Sequence, residues 1–162
     1  MTKKRRADRE DWERRLESFL SSPLAERASA GLSDRISVAL HVEEEDFYFG
    51  RRNGKNTLSR VQGGAPDVHF WVRLGALRHL LGLAEDPEAG IATMGIAIFE
   101  HIFTPDETRK IRFRVDAGFL GLWSKGYFSV LKAGGPEVAS YLARFGFSGL
   151  NAIKEALKTF RK

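Results

Sequence analysis

The sequence predicts an α+β fold, in which a run of antiparallel strands is followed by helices. Three observations carry that expectation. In residues 36–42, Ile36, Val38, Leu40 and Val42 alternate with Ser37, Ala39 and His41, and residues 67–72 and 110–116 alternate in the same way. This period of two is the pattern of half-buried strands. Asn53-Gly54 lies between two further strand candidates, and both residues tolerate the positive φ that a two-residue hairpin demands. Elsewhere apolar residues recur three and four apart, the spacing of a helix with one buried face.

Taken in order, residues 1–7 read as a basic tail and residues 8–162 as one domain. From Asp8, Trp12, Leu16, Phe19 and Leu20 form the apolar face of a first helix. Ser22-Pro23 is an N-cap followed by proline at the first helical position, and Gly31 ends the short helix it starts. The first strand is 36–42, and the acidic residues 43–46 make a charged turn into a strand that begins at Phe47. The Asn53-Gly54 turn leads to a third strand at 57–61, and the loop Gly63-Gly64-Ala65-Pro66 leads to a fourth at 67–73. Leu77, Leu80 and Leu81 mark a helix at 75–83.

Residues 89–103 fit two patterns. Met94, Ile96 and Ile98 alternate with small residues as in a strand, while Ile91, Met94, Ile98 and Ile102 fit a helical face equally well. The helix is preferred, because Asp86-Pro87-Glu88 resembles a capped start and Pro105 supplies a stop. Residues 110–116 form the last strand, with Arg112 and Arg114 on its wet face. A helical region from Gly118 carries Leu120, Trp123, Tyr127 and Leu131 on one face and stops at Gly134-Gly135. Pro136 restarts it with Val138, Leu142 and Phe145 inward. Ser148 caps a final helix striped by Leu150, Ile153, Leu157 and Phe160, which reads as core, as a lid, or as a membrane-touching helix.

Composition narrows the function. Twelve Phe against three Tyr and three Trp favour surfaces with no polar tip to satisfy, as in a core or a lipid-lined wall. There is no cysteine, hence no disulfide framework, in agreement with a cytoplasmic protein. The charged N-terminus lacks the apolar region of a signal peptide. The longest uncharged apolar stretch, 90–99, falls far short of the ~20 residues that span a bilayer. A net charge of +5 invites a nucleic-acid reading. The basic residues are nevertheless spread among 21 carboxylates, and the one dense run, Lys3-Lys4-Arg5-Arg6, is terminal, so nucleic acid is a disfavoured partner.

The motifs of catalysis are missing or fail on spacing. Gly50-Arg51-Arg52-Asn53-Gly54-Lys55-Asn56 has three residues between its glycines where a phosphate-binding loop needs four, and it lies between strands. His41, His69, His79 and His101 are scattered singly, with no metal-ligand spacing, so no metal or cofactor is expected. No serine sits in a Gly-x-Ser-x-Gly elbow, and residues 43–46 lack the glycine and alternating ligands of a calcium loop. What stands out is residues 67–116, where two strands are joined by more apolar helical surface than a short crossover needs. That excess points to an apolar cavity between sheet and helices, and to a binding protein.

The order of elements resembles the sterol carrier protein type-2 family of lipid-binding domains. The resemblance rests on Ile36-Ser37-Val38-Ala39-Leu40-His41-Val42, Phe47-Tyr48-Phe49, Asn53-Gly54-Lys55 and Asp67-Val68-His69-Phe70-Trp71-Val72. It continues through the helix at 75–83, Asp86-Pro87-Glu88 and the strand at 110–116, and covers residues 8–133. The resemblance implies a five-stranded, mostly antiparallel sheet covered by helices, with an apolar tunnel for sterols, fatty acyl chains or isoprenoids and no catalytic residues. Two departures are the long segment 91–104 and the helices added over 136–162. The expected function is therefore non-catalytic carriage of an apolar lipid, with transient contact to an anionic membrane surface. Its walls are expected from Leu77, Leu81, Met94, Ile98, Phe99, Phe119, Trp123 and Phe128. The alternative is a protein-interaction domain of the same fold with a filled core, and the volume of the interior separates the two.

Overall fold

In a computed structural model, which describes residues 2–147 and 158, the chain folds as α+β around one five-stranded mixed sheet. Strands β1 (Val38–Val42), β2 (Glu45–Arg52), β3 (Lys55–Ser59), β4 (Val68–Val72) and β5 (Ile111–Val115) lie in the order β3-β2-β1-β4-β5. Every neighbouring pair is antiparallel except β1 and β4, which run parallel with Val38 opposite Val68 and Val42 opposite Val72. The helices are α1 (Lys3–Leu20), α2 (Pro23–Ser29), α3 (Leu74–Ala84), α4 (Ile91–Phe103), α5 (Phe119–Ser124), α6 (Tyr127–Ala133) and α7 (Gly135–Ala143).

Alternation divides the sheet into two faces. The inner face sends Leu40, Val42, Phe47, Leu58, Phe70, Val72 and Ile111 into a core completed by Trp12 and Leu16 of α1 and by Ala76, Leu77 and Leu81 of α3. A second, smaller cluster joins Val68 and Val115 to Leu122, Tyr127 and Phe128. The outer face carries His41, His69, Trp71, Arg112 and Arg114.

The two hairpins set the register of β1, β2 and β3. Asn53 and Gly54 have φ of 52° and 73°, as a mirror-image two-residue turn requires. The strand expected at 57–61 therefore starts at Lys55, directly paired with Arg52, and Val61 is 75% exposed beyond its end. The other turn is Glu43-Glu44, since Glu45 and Asp46 already belong to β2. Glu43 adopts φ 52°, and its carboxylate accepts the Leu74 backbone N–H at 2.8 Å, capping α3, whose own N-cap residue Arg73 supplies no cap.

Four helical expectations are corrected. The basic run is helical: α1 starts at Lys3, because the Thr2 hydroxyl accepts the Arg5 N–H and Arg6 pairs with Glu10 one turn on, at 3.1 Å. Asp86-Pro87-Glu88 is a turn, closed by the Asp86 carboxylate accepting the Glu88 N–H, so α4 waits until Gly90 has passed. The expected helix from Gly118 to Leu131 breaks at Gly126, whose φ is +87° and whose absent Cβ would lie 2.0 Å from the Gly31 carbonyl oxygen. The break rotates the apolar face, so that Leu122 is buried while Leu120 is 79% exposed. Phe145, expected inward, lies past the end of α7, half-exposed and stacked on Phe103. The helix expected after Ser148 lies outside the described residues. Among the described residues no helix is long and apolar enough to cross a membrane.

Candidate apolar binding site

A cavity of about 390 Å3 lies beside the second cluster, between the inner face of β4 and β5 and the helices above it. Its floor is Val68, Phe70, Phe113 and Val115, from alternate positions of the two strands. Helix α4 contributes Met94, Ile98, Phe99, Ile102 and Phe103, which its 3.6-residue period brings to one side. Leu122 and the α6 residues Tyr127, Phe128 and Leu131 close another side, and Val138 and Leu142 of α7 a third, with Phe19 and Leu24 adding the N-terminal helices.

The space follows from how the helices meet. A Cβ on Gly95 would lie 3.2 Å from Val138, and one on Gly134 only 2.4 Å from it. Gly95 lets α4 close on Val138 of α7, which is 3% exposed, and Gly134, at the junction of α6 and α7 four residues before Val138, leaves room for its side chain. The helices thus pack on each other over β4 and β5 and leave room beneath. Protein interiors hold few voids larger than a water molecule, whereas ligand pockets run from ~300 to ~1,000 Å3.

Among the described lining residues, Tyr127 alone has a side-chain oxygen or nitrogen. Its hydroxyl is engaged elsewhere, donating to the Asp67 carboxylate at 2.7 Å. Burial, reinforced by that carboxylate, raises the Tyr127 pKa well above the ordinary phenol range. Asp67, itself buried, also accepts from Lys125 Nζ at 2.7 Å and from the Ser37 N–H at 3.0 Å. This network ties the α5–α6 break to the start of β4. It keeps the wall in place and offers no donor to a guest.

Of the eight residues expected as walls, Met94, Ile98, Phe99 and Phe128 line the cavity. Leu77 and Leu81 belong to the solid core under α3. Phe119 packs on Phe128 with ring centres 5.2 Å apart, outside the lining, and Trp123 is 54% exposed. The sheet floor was missed, although the alternation that defined the strands already assigned Val68, Phe70, Phe113 and Val115 to one face.

The four histidines, scattered in sequence, meet in pairs. On the outer face His41 Nδ1 contacts Asp46 at 2.6 Å, His41 Nε2 contacts His69 Nδ1 at 3.0 Å, and His69 Nε2 contacts Asp116 at 3.1 Å. Carboxylates accept at both ends, so the inner contact is hydrogen-bonded only if the two rings share one further proton. Burial lowers the His69 pKa. In the other pair, buried His101 donates from Nδ1 to the Arg109 carbonyl at 2.8 Å and meets His79 at 2.8 Å through Nε2, fastening α4 to α3 and to the segment before β5. Among the described residues no group of three or more His, Cys, Asp or Glu could hold a metal ion.

Burial also holds the His101 pKa below its ordinary 6.5. Below that value the unfolded chain takes up a proton that the folded one resists. His101 therefore contributes stability that is complete above pH 6.5 and lost as the pH falls from there toward the lowered folded value. The expected slope is at most about 1.4 kcal/mol per pH unit. Denaturation between pH 6.5 and 4.5 checks this, above the range where Glu45 and Asp116 titrate; His101→Gln should remove its share of the slope and leave the share of His69, whose pKa burial lowers in the same way.

A wider depression of about 850 Å3 borders the outer face at His41, Trp71, Arg112 and Arg114. Several of its charged groups are already paired, Arg112 with Glu107 at 2.6 Å and Arg73 with Glu43 at 3.5 Å. The apolar cavity is thus the stronger candidate. No family model matches the chain, and neither a curated protein nor a solved structure does.

Proposed function

We propose that the protein binds one apolar lipid in the cavity between β4–β5 and helices α4, α6 and α7, and carries it without chemical change. One observation supports the reading above all: about 390 Å3 of space with apolar walls between sheet and helices, partly open to solvent at its mouth. Each methylene moved from water into such a space contributes ~0.8 kcal/mol, enough to hold a hydrocarbon guest without a polar anchor. An interaction domain with a filled core, the alternative, calls for a solid interior at this place, and the cavity counts against it.

The N-terminus supports a loading step at an anionic membrane surface. Lys3, Lys4, Arg5 and Arg6 are exposed in the first turns of α1, where the helix macrodipole already presents its positive end. Anionic headgroups would relieve that crowding of positive charge. The cysteine-free sequence is in keeping with a cytoplasmic setting. The test is whether protein isolated from cells carries a lipid, detected by native mass spectrometry.

A further inference from the structure

We propose that the guest is a single-chain amphiphile, held by the end of one acyclic hydrocarbon chain of roughly a dozen carbons with its polar head outside; this rests on the lipid-binding reading above. Volume comes first. At roughly 30 Å3 for each water-sized group, a cavity of about 390 Å3 accommodates roughly a dozen heavy atoms. A fused-ring sterol carries far more than that, and a two-tailed lipid would leave its second chain in water.

Polarity comes second. The hydroxyl of Tyr127, the one side-chain oxygen or nitrogen among the described lining residues, has its proton committed to Asp67. A carboxylate brought inside would find no donor among these side chains and a hydroxyl at most the lone pair of the Tyr127 oxygen, and an unpaired buried polar group is penalised. The head must therefore stay at the mouth, and the inner end of the guest must be hydrocarbon throughout.

Delipidated full-length protein titrated calorimetrically with a series of n-alkanols, and with cholesterol, tests this. Affinity should rise about fourfold for each added methylene and then level off near roughly a dozen carbons. Ile98→Trp, which fills the cavity, should move that break to shorter alkanols, and Phe128→Ala should move it to longer ones. If either variant fails to fold, the wild-type series still decides. An affinity that climbs unbroken through octadecanol, or cholesterol bound as tightly as dodecanol, would overturn the single-chain assignment while leaving lipid binding intact. If no alkanol and no sterol binds, both readings fall together.

Discussion

Replacing Asp67 with alanine is expected to lower the unfolding free energy by about 3–5 kcal/mol. The carboxylate is 5% exposed and is shared by the Lys125 ammonium, the Tyr127 hydroxyl and the Ser37 N–H. Its backbone is committed as well: the Asp67 carbonyl accepts from Asp116 and Ala117, and its N–H donates to Ser37. Alanine leaves the backbone bonds but strands three side-chain and main-chain donors around a hole, one of them a cation with limited access to water. Asp67→Asn retains the shape and one acceptor oxygen, loses the charge and turns the other oxygen into an NH2 donor, so it strands fewer donors than alanine and should cost distinctly less. Chemical denaturation of the two variants beside the wild type measures the difference. Equal losses for both would mean that the lost charge, and not the shape or the remaining acceptor, sets the effect.

Trp12→Ala is expected to cost about 3–5 kcal/mol for a different reason, the cavity left by a large side chain in a solid core. Trp12 is 4% exposed and meets Phe47 edge-on with ring centres 5.8 Å apart. It sits in the cluster with Leu16, Val42, Leu77 and Leu81, and it does not line the apolar cavity. The variant should therefore unfold at lower denaturant concentration, yet, while folded, take up alkanols as the wild type does. Reduced uptake by folded Trp12→Ala would show that the two halves of the interior are coupled.

These two substitutions also mark what was legible in the sequence. Trp12, Leu16 and the strands at 36–42, 67–72 and 110–116 follow from periodicity, and the Asn53-Gly54 turn from backbone sterics, so the α+β class and the hairpin were readable. The parallel pairing of β1 with β4 was not, because alternation records which face is buried and says nothing of strand direction. The same limit hid the histidine pairs: His41 and His69 meet only once β1 and β4 lie side by side, and His79 and His101 once α3 and α4 pack together.

The candidate site was half legible for a related reason. Helical spacing put Met94, Ile98 and Phe99 on apolar segments, but a buried leucine such as Leu77 or Leu81 looks the same in sequence whether it faces packed side chains or empty space. What separates the two is the close approach of α4 and α7 at Val138, which depends on Gly95 from a distant part of the chain. Trp123 and Leu120 were misjudged because the Gly126 break depends on contact with Gly31, and no local pattern announces it.

The account depends on the cavity holding a guest, and native mass spectrometry of protein gently purified from cells tests that most directly. The account predicts a protein peak accompanied by one of higher mass, the difference released on denaturation and identified as one single-chain lipid per protein. A uniformly bare mass, in protein that then also ignores added alkanols, would contradict it.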